Sequence, residues 1–325
     1  MLAYIVRRCL QAVLVLLAMS LLVFIGVYAI GHPVDILINP QVDAPQRERA
    51  IAALSIERPM WMQYLLFVSG ALHGDLGQSF VHDTPALGLI LERLPATLEL
   101  AVAAMLMAVV LGLPLGLWAG LKPKTVAGRA IMAGSMLGIS LPTFWVGLVL
   151  IMVFSVTLGW LPADGRGPTS LLFGVPVSFL SLEGWRHLIL PATSLALLNL
   201  ALLVRLTRAG TLEALRQGYV QFARAKGLGN ARLIGVHVLR NILIPILAVI
   251  GLQFGSVIAF AIITETVFAW PGMGKLLIDS IGVLDRPIIV TYLLVSVFLF
   301  VGINLIVDVL CSALDPRMRE RQAKG

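Results

Sequence analysis

Charge is scarce in this chain of 325 residues: Asp, Glu, Lys and Arg together make up 13% of it, while 59% is hydrophobic. A soluble globular domain carries about 25% charged and roughly 45–50% apolar residues. The apolar surplus is too large for a core and its runs are too long, which excludes a large soluble protein. Cysteine is nearly absent. Cys9 and Cys311 lie near opposite ends of the chain with no CxxC spacing, so neither a disulfide framework nor a thiolate metal site is read. The histidines (His32, His73, His82, His187 and His237) show no HExxH or HxxxH spacing, and no protein-bound metal is read from them. A phosphate-cradling loop is missing too. Gly272-Met273-Gly274-Lys275 is followed by Leu276 and preceded by Pro271, which breaks the GxxxxGK[ST] pattern. Gly138-Ile139-Ser140-Leu141-Pro142 is not a GxSxG elbow. With no paired catalytic constellation, a membrane-embedded enzyme has no support.

What the chain does have is long apolar runs. A hydrocarbon core about 30 Å thick needs about 20 apolar residues in a helix. Six segments qualify, at about 9–30, 97–120, 131–158, 187–207, 242–265 and 288–312. The first follows Arg7-Arg8, but its run exceeds the ~7–15 residues of a signal-peptide core and no small-x-small site ends it. It is read as a retained helix. Six spans place both termini on one side. That side then holds Arg7, Arg8, Lys122, Lys124, Arg129, every base from Arg205 to Arg240, and Arg317, Arg319, Arg321 and Lys324. The other side holds most of the acids, including Asp35, Glu57, Asp75, Asp164, Glu183 and Asp285. Lysine and arginine bias sets orientation, so both ends are expected in the cytoplasm. The net charge of +7 is thereby a topological signal rather than a nucleic-acid footprint.

The longest outer connection, 31–95, contains "RERAIAALSIERPMWMQYLLFVSGAL", read as two amphipathic helices broken at Pro59, with Trp61, Tyr64, Leu65 and Phe67 as apolar anchors. Gly74-Asp75-Leu76-Gly77 supplies a turn after it. A second outer loop, about 159–186, is rich in Gly and Pro. No internal repeat or linker divides the chain, which is read as one membrane domain over 1–325. Pro142 and Pro191 are expected to kink their helices.

Between the fourth and fifth spans the chain leaves the membrane for "YVQFARAKGLGNARLIGVHVLRN", residues 219–241. No proline occurs from 211 to 226, and Leu215, Tyr219, Phe222 and Lys226 recur at helical spacing, which predicts a helix with a short aromatic stripe. Gly227 suits the left-handed conformation that ends a helix, and Asn230 is a candidate N-cap for a second helix leading into span five. An ordinary positive-inside loop needs neither an aromatic stripe nor a Gly-punctuated pair of helices. A short amphipathic helix in a rigid frame suits docking in a partner's groove.

The segment resembles the cytoplasmic coupling loop of binding-protein-dependent ABC importer permeases, in the variant of the oligopeptide/dipeptide/nickel permeases. The residues that carry the resemblance are Tyr219-Val220, Ala223-Arg224-Ala225-Lys226-Gly227-Leu228, His237, Leu239-Arg240-Asn241 and Ile244-Pro245. The glutamate of the wider Glu-Ala-Ala pattern is absent, Gln221-Phe222-Ala223 standing there. Further matches are Arg7-Arg8, Gly74-Asp75-Leu76-Gly77-Gln78-Ser79, Leu94-Pro95-Ala96-Thr97, Thr264-Glu265-Thr266-Val267-Phe268, Trp270-Pro271-Gly272-Met273-Gly274 and Leu314-Asp315-Pro316-Arg317. The long loop after span one resembles the first, B-type, permease of the pair. One departure is Gly31-His32-Pro33, where relatives commonly have Gly-Asp-Pro.

The resemblance implies an all-α membrane protein of type I importer fold, with six transmembrane helices, the outer loop 31–95 and a coupling loop 208–241. It implies a bacterial inner-membrane subunit that is not itself an enzyme. Its partners would be a second permease (a paralogue in the family), two ATPase subunits that bind ATP and Mg, an extracytoplasmic substrate-binding protein and membrane lipid, with no nucleic acid. The cargo would be di- or oligopeptides, with nickel chelates, glutathione or heme as alternatives within the family. Tyr219, Phe222, Ala223, Arg224, Ala225, Lys226 and Gly227 are the candidate ATPase-coupling residues. Ser194, Asn199, Gln253, Ser256 and Glu265 are candidates to line the translocation path, against interhelical hydrogen bonding as their ordinary role. Glu99, Arg205, Glu265 and Asp308 lie near the ends of spans, where snorkelling or pairing is the ordinary expectation. A stand-alone secondary transporter would be expected to show inverted repeats or broken midplane helices, and neither is evident in the sequence.

Overall fold

Apolar side chains that face lipid need no burial, so these apolar helices leave large side chains such as Leu106, Val110 and Trp118 exposed. The computed structural model describes residues 2–30 and 59–314. In chain order the elements are α1 (Leu2–Ile30), α2 (Met60–Leu72), α3 (Ala86–Leu121), α4 (Val126–Ser140), α5 (Thr143–Leu150) with a π-helical continuation Ile151–Thr157, and strands β1 (Ser170–Leu172) and β2 (Val175–Val177). Then follow α6 (Leu182–Arg216), α7 (Gly218–Ala225), α8 (Asn230–Arg232) running through a π segment Leu233–Leu239 into α9 (Arg240–Val267), α10 (Met273–Gly282) and α11 (Arg286–Leu314). The contacts divide the described residues into two units. One is built from Leu98–Trp270 and the chain from Ile303 onward; the other is built from Leu2–Thr97 and Pro271–Gly302.

Five helical segments are long and apolar enough to cross a membrane: Val6–Gly26, Ala86–Leu121, Leu182–Arg216, Pro245–Val267 and Arg286–Val309. The sixth expected span, 131–158, is broken. Val126–Ser140 and Thr143–Thr157 meet at 108°. Proline at 142 has no N–H to donate and disfavours helical geometry in the residue before it, and Leu141 is accordingly extended at φ −91°, ψ 130°. Pro191, by contrast, sits inside a continuous α6.

In the first unit, α3 and α6 run side by side through a glycine seam. Gly112 faces Leu200 and Leu203, Gly116 faces Val204 and Thr207, and Gly120 faces Arg208 and Thr211. A Cβ at Gly116 would lie 2.6 Å from both the Thr207 Cβ and the Val204 carbonyl oxygen. Glycine every fourth residue lets two backbones approach and gain packing where lipid offers no hydrophobic drive. Ala101, Ala104 and Ala108 continue the buried side, while Val102, Leu106 and Val110 are exposed on the other.

The loop 159–186 was expected only as a Gly- and Pro-rich connection; it carries the β1–β2 hairpin, with Leu171 opposite Pro176. It is fastened by a buried ion pair. Arg166 Nε donates to Glu99 Oε2 at 3.0 Å and its Nη2 to the same oxygen and to the Pro176 carbonyl, the latter at 2.7 Å. Ser178 N, Ser178 Oγ and Phe179 N all donate to Glu99 Oε1, at 2.8, 2.7 and 3.0 Å. Of the span-end charges, Glu99 therefore pairs.

In the second unit, α2 packs on α1. Tyr64 and Phe67 meet Phe24 with ring centroids 5.4 and 5.7 Å apart, and the Tyr64 hydroxyl shares a hydrogen bond with Ser20 at 2.8 Å. The other two expected anchors, Trp61 and Leu65, are exposed; α2 is short and turns only one face to α1. The helix expected before Pro59 lies outside the described residues. Gly74 and Gly77 take positive φ, as the turn reading expects, and Gly77 N donates to Asp75 Oδ1 at 3.2 Å. Ser79 Oγ then bonds the buried Asp285, and the Met273 amide donates to Thr97 Oγ1 at 2.9 Å. Motifs far apart in sequence thus hold one another.

Candidate functional site

The basic stretch between α6 and α9 folds as two helices around a tight turn, but its first helix is shorter than its sequence suggests. The absence of proline predicted one helix from 211 to 226. Instead α6 ends at Arg216, Gln217 is extended (φ −69°, ψ 140°), and α7 starts at Gly218. Glycine is among the weakest helix formers and Gln217 precedes it, so the break falls at the point of lowest propensity. α7 then ends in two nested bonds: Leu228 N to Ala223 O at 3.3 Å and Gly227 N to Arg224 O at 3.0 Å. With Gly227 at φ +79°, this is the Schellman arrangement. Leu228 completes it by packing on Val220, Ala223 and Leu233 together with Leu215. The following helix starts one residue earlier than expected. Gly229 occupies the cap position without a side-chain bond, and Asn230 is already helical.

This cluster decides which face of α7 is free. Val220 and Leu233 are each 1% exposed, and full burial of such side chains stabilises by about 1.5–3 kcal/mol apiece. Ala223, a candidate coupling residue, is buried on that inner side. Leu215 also packs inward, so it is not part of an outward stripe. Tyr219 and Phe222 remain exposed, 42% and 62%, and Arg224, Ala225, Lys226 and Gly227 are exposed beside them. The Lys226 ammonium sits 4.6 Å from the Phe222 ring centre, a cation–π contact. Tyr219 reaches sideways: its hydroxyl accepts from Asn241 Nδ2 at 2.7 Å and donates to the His237 carbonyl at 3.4 Å. α7 is thereby tied to the π segment and to the first turn of α9, while the chain passes to it from α6 through the single extended Gln217. π-helical segments recur at functional sites.

Of the five path candidates, the structure brings three together. Asn199, Gln253 and Ser256 line a recess of ≈ 360 Å³ whose wall includes Leu141 and Pro142 from the broken span. Gln253 Nε2 donates to Asn199 Oδ1 at 3.3 Å. Ser194 is instead buried, its hydroxyl donating to the Thr143 carbonyl at 2.9 Å. Glu265 is fully buried, and its carbonyl accepts from Trp270 N at 2.8 Å; neither lines the recess.

Residues 1–101 match the model of the family described as the N-terminal part of binding-protein-dependent transport system membrane components, and residues 112–320 match that of the binding-protein-dependent transport system inner membrane component. The chain belongs to this family. It is a multi-pass inner membrane component. Among curated relatives it is 40% identical to the di/tripeptide transport system permease protein DppB of Pseudomonas aeruginosa, over 99% of this chain and 100% of that one. It is 37% identical to the oligopeptide transport system permease protein AppB of Bacillus subtilis, over 98% and 99%. The glutathione transport system permease protein GsiC of Escherichia coli is 36% identical over the same shares. Among solved structures, the inward-facing MetNI methionine ABC transporter has a chain with a TM-score of 0.55 and 17% identity, covering 70% of this chain and 97% of that one. This last likeness concerns the fold.

Within this inner membrane component, sequence reasoning did not single out Leu233, and it quoted Val220, Leu228 and Asn241 as motif residues without reading their part in holding α7 from its inner face. Val220 and Ala223 at i, i+3 were a readable signal, masked by the more conspicuous aromatic pair.

Proposed function

We propose that this chain is the permease subunit of an ATP-driven ABC importer for di- or oligopeptides, and that α7 docks into partner ATPase subunits. The observation that carries the docking is the exposed Phe222–Lys226 face of α7, set on a buried cluster and closed by the Gly227 turn. An exposed aromatic on a helix fixed from behind loses little freedom when it enters a groove. Tyr219 and Phe222 act as anchors, Arg224, Ala225 and Lys226 surround them, Ala223 holds the helix from within, and Gly227 shapes its end. ATP and Mg belong to the partner subunits, and the chain is non-catalytic. The bases gathered around α7 support a cytoplasmic position for that end and for both termini. The partners are completed by a second permease, a paralogue, and an extracytoplasmic binding protein. One membrane domain, 1–325, carries all of this.

The peptide assignment rests on the relatives at 36–40% identity. Asn199, Gln253 and Ser256 form a neutral polar patch in a mainly apolar recess, which Thr143 also lines, and line part of the path. Cysteine substituted for Gln253 should be shielded from thiol reagents by transported dipeptide; unchanged labelling would remove that residue from the path. For the docking itself, tagged chain is co-expressed with the second permease and ATPase subunits of its transport system. Phe222→Glu should lose the ATPase from the purified complex while retaining the second permease. Full ATPase recovery with Phe222→Glu would refute the docking face.

A further inference from the structure

A recess of ≈ 370 Å³ opens between the last turns of α6 and the first turns of α9. The two helices come close there, since a Cβ on Gly210 would stand 3.2 Å from the Ile242 side chain. The polarity of the recess is ordered along the helices. Leu206, Ile246 and Val249 line the end that lies deeper in the segments long and apolar enough to cross a membrane. Glu213, Gln217 and Asn241 line the end where those segments stop. From Leu206 to Gln217 the helix advances about 16 Å at 1.5 Å per residue. The recess therefore passes from hydrocarbon depth to the level of lipid headgroups.

The chemistry of its polar end is one-sided. Glu213 is exposed and has no ion pair among the described residues, and no Lys or Arg among them lines the recess. Asn241 donates its Nδ2 to the Tyr219 hydroxyl at 2.7 Å, which leaves its Oδ1 as an acceptor. Pro245 has no N–H to offer the Asn241 carbonyl. The site is thus rich in acceptors and carries one negative charge. Its complement is a cation with several N–H donors, and a primary ammonium has three. An anionic headgroup would meet Glu213 as a like charge, and a trimethylated ammonium brings no donor. Arg216 and Arg240 are exposed and stand next to Gln217 and Asn241 in the chain, where their charge suits a phosphodiester.

We infer that this recess binds the head of an ethanolamine phospholipid. Its ammonium lies on Glu213 with the Gln217 and Asn241 carboxamides, and the start of its acyl chains lies against Leu206, Ile246 and Val249. The volume is at the small end of ligand sites, about 300–1,000 Å³, which suits a headgroup and its first methylenes rather than a whole lipid. The site bears on coupling because two residues that hold α7 line it. Gln217 is the extended link from α6, and Asn241 holds Tyr219. A lipid head bridging them restrains the docking helix. That consequence rests on the importer reading, whereas the lipid site itself does not.

The complex of this chain with the second permease and ATPase subunits is purified and equilibrated with equimolar dioleoyl phosphatidylethanolamine, phosphatidylcholine and phosphatidylglycerol. Native mass spectrometry then reads the retained lipid. Phosphatidylethanolamine should be preferred about tenfold over phosphatidylcholine, the effect of one hydrogen bond to a charged group. Glu213→Gln should abolish that preference, while Glu183→Gln, at the opposite end of α6, should leave it intact. An ethanolamine lipid with a photoreactive tail should cross-link within 206–217 or 241–249. In proteoliposomes, exchanging phosphatidylethanolamine for phosphatidylcholine should lower stimulated ATPase activity of the unsubstituted complex but not of Glu213→Gln. Equal retention of the two lipids, a preference that survives Glu213→Gln, or cross-links only outside these segments overturns the inference. Stimulated activity indifferent to the lipid exchange removes the link to α7. Failure of the importer reading would look different: no ATPase would co-purify with the unsubstituted chain, while lipid retention by that chain still tests the site.

Discussion

Gly227 offers a perturbation that acts on backbone conformation alone. Its φ is +79°, and a Cβ built on it meets no atom within 4 Å, so a side chain there suffers no clash. What remains is the cost of placing an L-residue in the left-handed region, about 1–2 kcal/mol for alanine and more for a β-branched residue. A penalty of that size shifts the formed-to-unformed ratio of the turn about 5–30-fold. Its loss releases the Leu228-to-Ala223 and Gly227-to-Arg224 bonds and the seat of Leu228 on Val220 and Leu233. Gly218 supplies the control. It is the first residue of α7, has no positive φ, and its added Cβ also meets nothing. Gly218→Ala should therefore stabilise α7 slightly, by about 0.4–1 kcal/mol. The assay is peptide uptake per ATP hydrolysed by reconstituted complex, with hydrogen exchange over α7 as the structural readout. Gly227→Val should speed exchange over 218–228 and lower both stimulated ATPase activity and uptake, while Gly218→Ala preserves them. If Gly227→Val retains uptake and stimulated ATPase activity, the coupling role of this turn is wrong.

Three further outcomes follow from the packing. Gly116→Val should force the α3–α6 seam apart, costing about 1–3 kcal/mol or more. It should lower the thermal midpoint of the purified complex, whereas Gly134→Ala, whose Cβ meets nothing, should not; equal midpoints would refute the seam. Tyr219→Phe and Asn241→Leu remove the same hydrogen bond, so their effects on uptake per ATP should be non-additive, with a coupling of about 0.5–1.5 kcal/mol. Strict additivity would show that the two act independently. Glu99→Gln leaves the buried Arg166 without its counter-charge, and removing one partner of a buried pair typically costs about 3–5 kcal/mol. Protease cleavage within 159–186 should accelerate, and an unchanged rate would mean the loop is held by other contacts.

Much of the architecture was legible because lipid imposes long apolar runs and because Gly and Pro punctuate locally. The Gly227 turn followed from one residue type at one position. The extended Leu141 before Pro142 broke the third span far more sharply than the expected kink, since missing N–H donation and steric exclusion act together there. Asn230 was misplaced as a cap by one residue because Gly229 needs no side chain to leave the helical region. The glycine seam was readable as Gly112, Gly116 and Gly120, but its partner, the Leu200–Thr211 face of α6, is set only by folding. The same holds for Glu99 and Arg166, 67 positions apart, and for Ser79 and Asp285, 206 apart. No local pattern announces such pairs. For the path candidates, polar character within a span was visible, yet which residues share a recess depends on helix rotation. That rotation sent Ser194 to the Thr143 carbonyl and left Asn199 and Gln253 together.

The central claim is that this chain moves peptide only as part of an ATP-driven assembly. The direct measurement is accumulation of labelled dipeptide in proteoliposomes containing this chain, the second permease and the ATPase subunits, with ATP inside and loaded binding protein outside. The account predicts uptake that requires hydrolysable ATP, the ATPase subunits and the binding protein together. Accumulation by this chain alone, driven by an ion gradient without ATPase or binding protein, would contradict it.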